Sequence, residues 1–193
     1  RVRSPLPLFY SPALAASPFF FASLHNTPSH HTLTHSHSSL SPPPNPQQGK
    51  RNNESYFFDV KRREWTVPTI AGTPPHPRSH HTANLVEFDE EEDGDAEKKI
   101  FIIGGYGGHG STRDFSMDVH ALDLDNMIWS RIDRIKGPAP KPRCDHTVCV
   151  ADNLLILSGG RGASTEKPKF AGYFDDGHIL DLTTQEWARP SLT

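Results

Sequence analysis

The chain has 193 residues, 34% apolar and 22% charged, with 14 glycines and 18 prolines. This composition suits one or two soluble domains rich in turns and excludes a compact helical bundle throughout. No stretch approaches the run of about 18 apolar residues that a membrane helix needs. The two cysteines, Cys144 and Cys149, exclude a disulfide scaffold and suit a reducing compartment, cytoplasmic or nuclear. A formal charge of -3 names neither nucleic acid nor a membrane surface as partner.

Residues 1–53 contain no acidic residue and four basic ones, Arg1, Arg3, Lys50 and Arg51, so a boundary falls near Glu54. This first segment repeats Ser, Pro and His without a sustained hydrophobic period and reads as disordered. Its Ser-rich, acid-free character also fits an organelle transit peptide, although arginines are few and the chain starts at Arg1; truncated or translated non-coding sequence is the other reading. Imidazoles at His30, His31, His35 and His37 are close enough to share a metal ion, but nothing in the segment preorganises them, and no metal is expected.

Residues 54–193 repeat. The stretch from Gly72 to Thr82 aligns with that from Gly137 to Thr147 at an offset of 65, keeping Gly, both prolines, Arg78 with Arg143, His81 with His146, and Thr. KKIFIIGG, closing on Gly104 and Gly105, is matched by NLLILSGG, closing on Gly159 and Gly160, each a short buried-strand pattern. Then Asp123 precedes Trp129 by six residues, as Asp181 precedes Trp187 and Asp59 precedes Trp65. Each complete unit therefore holds four strands, HTANLV, KIFIIGG, DVHALDL and WSRI, then HTVCVA, LLILSGG, GHILDL and WARP. The Trp opening each fourth strand offers a broad apolar plate to a neighbouring sheet.

The Gly-Gly pair after the second strand, the Asp ending the third and the Trp six residues on resemble the kelch-repeat family over residues 54–193. The Tyr common in that family before the Asp is Phe58, Leu122 and Leu180 here. The resemblance implies an all-β fold, a kelch-type β-propeller of four-stranded blades. About two and a half blades are present after the disordered segment, against four to eight in a closed ring, so the propeller is incomplete and its sheet faces need partners. The repeated Gly104, Gly105, Gly159, Gly160, Arg78, Arg143, His81 and His146 read as structural, the glycines for positive φ or close backbone approach and the Arg and His for bonds within and between blades. Function is then sought where the blades differ.

Two variable stretches mimic ligand motifs. Gly105 to Gly110 fits G-x-G-x-x-G, but too few residues separate it from the next strand for the crossover helix a dinucleotide site needs. From Asp89, the run DEEEDGDAE fits a calcium loop until position 12, which is Ile100 and not Glu. It reads as a solvated acidic insertion.

No nucleophile with its base, and no facing carboxylates, emerge. Kelch repeats also build the propeller of galactose oxidase, whose copper chemistry needs tyrosine, histidine and a cysteine cross-link; that oxidoreductase remains the alternative, opposed here by both cysteines falling on the innermost strand of the second full blade. The preferred reading is a protein-protein interaction scaffold without cofactor. Strand alternation sends the loop after the second strand and the loop into the next blade to one face, which gathers Arg113, Lys136, Lys141, Arg161, Lys167 and Lys169 with Tyr106 and His109. The acidic insertion Glu87–Glu97 lies on the opposite face. The basic face is expected to dock an acidic segment of a partner protein.

Overall fold

The computed structural model describes residues 53–59, 61–88, 97–107, 114–163 and 171–191, with the backbone of Phe19–Ala22. In chain order, β1 (Phe19–Ala22), β2 (Tyr56–Asp59) and β3 (Glu64–Thr66) form one antiparallel sheet. Two short strands, β4 (Ala71–Gly72) and β5 (Arg78–Ser79), lead into a four-stranded blade of β6 (Thr82–Phe88), β7 (Glu97–Gly107), β8 (Asp114–Asp123) and β9 (Ile128–Arg131). A second blade joins β10 (Thr147–Ala151), β11 (Leu154–Ser158), β14 (Gly177–Asp181) and β15 (Glu186–Ala188), and between them β12 (Arg161–Ala163) and β13 (Ala171–Tyr173) make a two-stranded ribbon. The strands predicted for both complete blades are therefore present in the predicted order.

Six residues separate each Asp from its Trp because a fixed turn lies between them. The Asp59, Asp123 and Asp181 carboxylates each accept two backbone N–H bonds, from Lys61 and Arg62, Asp125 and Asn126, and Thr183 and Thr184, at 2.8–3.0 Å. Four residues after each Asp the chain turns left-handed, at Arg63, Met127 and Gln185 with φ of 58°, 53° and 53°. The Trp then pairs across the hairpin with Phe58, Leu122 or Leu180, where the family's Tyr would stand.

Strand alternation gives the first blade two buried faces, which is why KIFII reads as an unbroken apolar run. Phe101, Ile103, Val119 and Ala121, with Val86, pack against Leu155, Leu157, Leu180 and Trp187 of the second blade. Ile100, Ile102, Leu122 and Trp129 form a separate cluster on the other side, joined by Ile70. Each such side chain, fully buried, contributes about 1.5 to 3 kcal/mol, so the apolar seam is the main force holding the blades together. On the far side of the second blade the corresponding row, Ile156 and Ile179 half-buried and Cys149 exposed, faces away from that seam.

Three features depart from the sequence reading. Within the segment read as disordered, Phe19–Ala22 pairs with β2 from Phe19 opposite Asp59 to Ala22 opposite Tyr56. This is the register in which β7 meets β8 and β11 meets β14, an Asp pairing at the end of the second-strand position; a four-residue apolar run is long enough to satisfy an open strand edge. The rest of that segment, with His30, His31, His35 and His37, lies outside the described residues. Cys144 precedes β10 instead of lying on it, and only Cys149 is on the innermost strand. Finally, the connection between blades does not stay on one face. Lys136 bridges Glu186 and its N–H donates to Gln185 O beside the β14–β15 turn, after which the chain runs back along the outer edge of the second blade. Lys136 thus sits at the end of the blade opposite Arg161, and the expectation that it joins the basic face is corrected.

That connection explains a glycine. At Gly137, φ is 79°, and a Cβ there would lie 2.1 Å from the Trp187 carbonyl oxygen; Gly72 meets the Trp129 oxygen at the same distance. Gly137→Ala is expected to cost about 2 kcal/mol or more, from left-handed strain plus backbone displacement. Urea denaturation checks this, and an unchanged midpoint would mean that the connector can detach from the blade edge at little cost.

Candidate functional site

At the end of each blade where the glycine pair lies, a buried arginine is clamped by the strand that follows. The Arg143 guanidinium, 0% exposed, donates to both Asp176 oxygens at 2.6 and 3.0 Å and to Gly159 O at 2.8 Å, and its Nε donates to Lys141 O. Arg78 repeats this with Asp118, Gly104 O and His76 O. Burial pulls the Asp118 carboxyl upward, but the Arg78 hydrogen bonds and charge outweigh it and hold it down to about 2. Asp176 is held lower than an ordinary carboxylate, first by the Arg143 hydrogen bond. His178, fully buried, bonds Asp176 through Nε2 and Pro138 O through Nδ1. Asp118 and Asp176 recur in the aligned third strands; only their pairing with the arginines was not legible.

Gly104, Gly105, Gly159 and Gly160 all have positive φ. At Gly105 a Cβ would meet Ser79 O at 2.9 Å and the His81 Cβ at 3.0 Å, and at Gly160 the same contacts fall on Cys144 O and His146. The seam is stitched here by backbone: Gly105 N donates to Arg143 O, Arg143 N to Ser116 O, and Asp145 N to His80 O. His146 Nε2 lies 3.3 Å from Thr82 Oγ1 across the seam. Burial pushes the His146 and His120 imidazoles down to about 4, so both are neutral at pH 7.

Above this shared framework the two blades differ. Tyr106 pairs with Phe115 across the β7–β8 ribbon, rings 5.0 Å apart, and Arg161 pairs with Tyr173 across β12–β13 at the equivalent positions. Ser79 pairs with Tyr106 and Cys144 with Arg161, so His80 and Asp145, also equivalent and both left-handed at φ 60° and 56°, stand beside them. One row therefore crosses the seam: Phe115, Tyr106, His80, Asp145, Arg161, Tyr173. Arg161 Nε donates to Asp145 Oδ2, Cys144 Sγ donates to the same oxygen at 3.4 Å, and His80 Nε2 is 3.8 Å from Oδ1. Burial pulls the Asp145 carboxyl up and these donors pull it further down, leaving it below the ordinary range. Tyr173 is 87% exposed.

Of the residues predicted for the basic face, Tyr106, Lys141 and Arg161 lie at this end, Lys136 does not, and His109, Arg113, Lys167 and Lys169 are outside the described residues. The acidic insertion is likewise outside them except for its flanks, where Phe88 pairs with Glu97 at the opposite end of the blade. Arg161 is spent on Asp145, a neutralisation that the sequence did not reveal. Tyr173, Phe115, His80 and Asp145 were not singled out; the offsets that align the blades, 65 for His80 with Asp145 and 58 for Phe115 with Tyr173, would have found them as differing residues at equivalent positions.

Two catalytic look-alikes dissolve in the geometry. Gly105, Tyr106 and Gly107 pair with Ser116, Phe115 and Asp114, which makes a hairpin ribbon and not a strand-to-helix turn. Ser79 Oγ, His80 and Asp145 form a polar chain, but Ser79 is 0% exposed, out of reach of a substrate.

Antiparallel four-stranded blades stacked on a shared apolar seam, with the same buried node in each, define a β-propeller built from repeats. Residues 45–193 match the description "KLHDC2/KLHL20/DRC7 Kelch-repeats domain", and the chain belongs to the kelch-repeat family. It is 33% identical over 138 residues to human Kelch domain-containing protein 1, covering 70% of this chain and 29% of that protein. Against Acyl-CoA-binding domain-containing protein 4 of Arabidopsis thaliana it is 35% identical over 135 residues, 69% of this chain and 17% of the relative. The bovine Rab9 effector protein with kelch motifs is 29% identical over 114 residues, 59% of this chain and 27% of that one. The chain thus spans less than a third of the length of these relatives. Among solved structures, that of YjhT superposes with a TM-score of 0.52 at 17% identity over 73% of this chain and 46% of the other, a likeness of fold.

Proposed function

We propose that these blades belong to a protein-protein interaction scaffold whose partner docks on the loop face around the row from Phe115 to Tyr173. The observation that carries this reading is the contrast between a repeated buried framework and differing side chains directly above it. Aromatic and arginine side chains on a rigid ledge are the residue types that dominate protein interfaces. That one relative is named an effector of Rab9 and others kelch domain-containing proteins agrees with a binding role.

The partner chemistry we propose is an acidic segment. Arg161 already binds a carboxylate, that of Asp145, in a geometry an incoming Asp or Glu can reproduce. Arg113, Lys167 and Lys169 belong to the same two loops in sequence. Because Asp114, Asp145 and Asp175 share this face, attraction operates at contact distance more than by a long-range field.

Reversing Arg113, Arg161 and Lys169 to Glu in the intact protein is expected to weaken partner association at least tenfold at low salt, with the difference shrinking as salt rises. Unchanged binding after reversal, together with loss of binding on deleting Asp89–Ala96, would place the partner on the opposite face.

A further inference from the structure

We infer that Asp145 is an internal competitor for the docking site: its carboxylate occupies Arg161 and sets the threshold an acidic partner must overcome. This rests on the reading of the loop face as an acidic-segment site. Three observations carry it. The pair varies between blades while its surroundings repeat: the first blade has His80 and Tyr106 where the second has Asp145 and Arg161, on equivalent backbone with φ of 60° and 56°. No packing demand therefore requires an acid at this position. Second, Arg161 and Asp145 side chains remain 39% and 37% exposed, so the pair is open to exchange with a carboxylate from solution. It contrasts with Arg143, which is 0% exposed and held by three acceptor groups, and cannot exchange without breaking the blade. Third, Asp145 is anchored at the backbone, where its N–H donates to His80 O, so the carboxylate is presented to Arg161 by the seam itself. Releasing it moves a side chain and leaves the seam closed.

Exposed ion pairs are weak, and a like charge about 4 Å away in water opposes an incoming carboxylate by a comparable amount. Together these predict that removing the Asp145 charge tightens binding of an acidic ligand about three- to tenfold at low salt. Asp145→Asn suits the purpose, because Asn tolerates the left-handed backbone and keeps an acceptor for Cys144.

The probe is a fluorescein-labelled octaglutamate peptide, titrated by fluorescence anisotropy in about 50 mM salt, where screening is moderate. The intact protein is compared with Asp145→Asn, Arg161→Gln and the double variant. The expected result is a three- to tenfold tightening for Asp145→Asn in the wild-type background and less than a twofold change when Arg161 is already Gln. Equal tightening in both backgrounds would show that Asp145 acts only as bulk charge and would overturn the inference, while the docking reading stands. Binding by the wild type with no change in Asp145→Asn overturns it in the same way. If neither the wild type nor Asp145→Asn binds the peptide, the acidic-segment reading fails and the competitor role with it.

Discussion

Replacing Arg143 with Met is expected to destabilise the protein by about 3 to 5 kcal/mol, the range for a buried pair broken on one side. The guanidinium is enclosed by Asp176, Gly159 O and Lys141 O and stacks 4.1 Å over the Phe174 ring. Methionine refills part of the volume but leaves Asp176 and the Gly159 carbonyl without their donor, and the residual charge on Asp176 then faces only His178. The loss also reaches the neighbouring blade, because the Arg143 main chain bonds Gly105 and Ser116. Urea denaturation of Arg143→Met, Asp176→Asn and the double variant separates the terms. A double variant close to the more damaged single indicates a coupled pair. A loss under about 1 kcal/mol for Arg143→Met would show that the node is dispensable.

Acidification is expected to cost about 3 kcal/mol for each of His120 and His146, lost between about pH 6.5 and pH 4. Burial is the leading cause at both: each ring is held neutral down to about pH 4 in the folded protein, while in the unfolded chain it titrates near its ordinary value of 6.5. Below pH 6.5 the unfolded state therefore binds more protons than the folded one, and stability falls with pH until the folded-state values are reached. Asp118 and Asp176, depressed by their arginines, shift in the same sense but from a lower starting value, and begin to withdraw stability only below about pH 4, as the unfolded carboxylates protonate first. Acid unfolding should thus proceed in two stages. Denaturant midpoints measured from pH 7.5 to 4.5 test the first, and His146→Gln should flatten the slope by about half. A midpoint constant over that range would mean that these rings take up protons without unfolding the seam.

The turn between third and fourth strands illustrates what can be read without coordinates. An Asp caps its own turn, a left-handed residue follows at four, and a Trp at six lands opposite the third strand; all of this is local, so spacing alone carried it through three repeats. The same holds for the apolar runs KIFII and LLILS and for the glycine pairs that close them. Arg78 and Arg143 are different. Their recurrence was visible, yet their carboxylate partners lie 40 and 33 residues further along, and no local rule connects them.

The loop face shows the division more sharply. Sequence placed Arg161 and Lys136 together because the second and fourth strands of a blade run in the same direction, and strand direction is a good guide to which end a loop leaves from. It does not say where the loop goes next. The connector, tied to the edge of the following blade at Lys136 and Gly137, carries that lysine to the far end. Likewise Asp145 meets Arg161 only because Cys144 bridges to the second-blade ribbon.

The amino-acid sequence alone decided the family, the strands of the two full blades and the turns, since these depend on side-chain period, backbone preference and short-range hydrogen bonds. Tertiary structure alone decided which charges are free. That outcome depends on distances between segments that the chain brings together from different blades, and a cation such as Arg161 counts for a partner only after its nearest internal carboxylate has been identified.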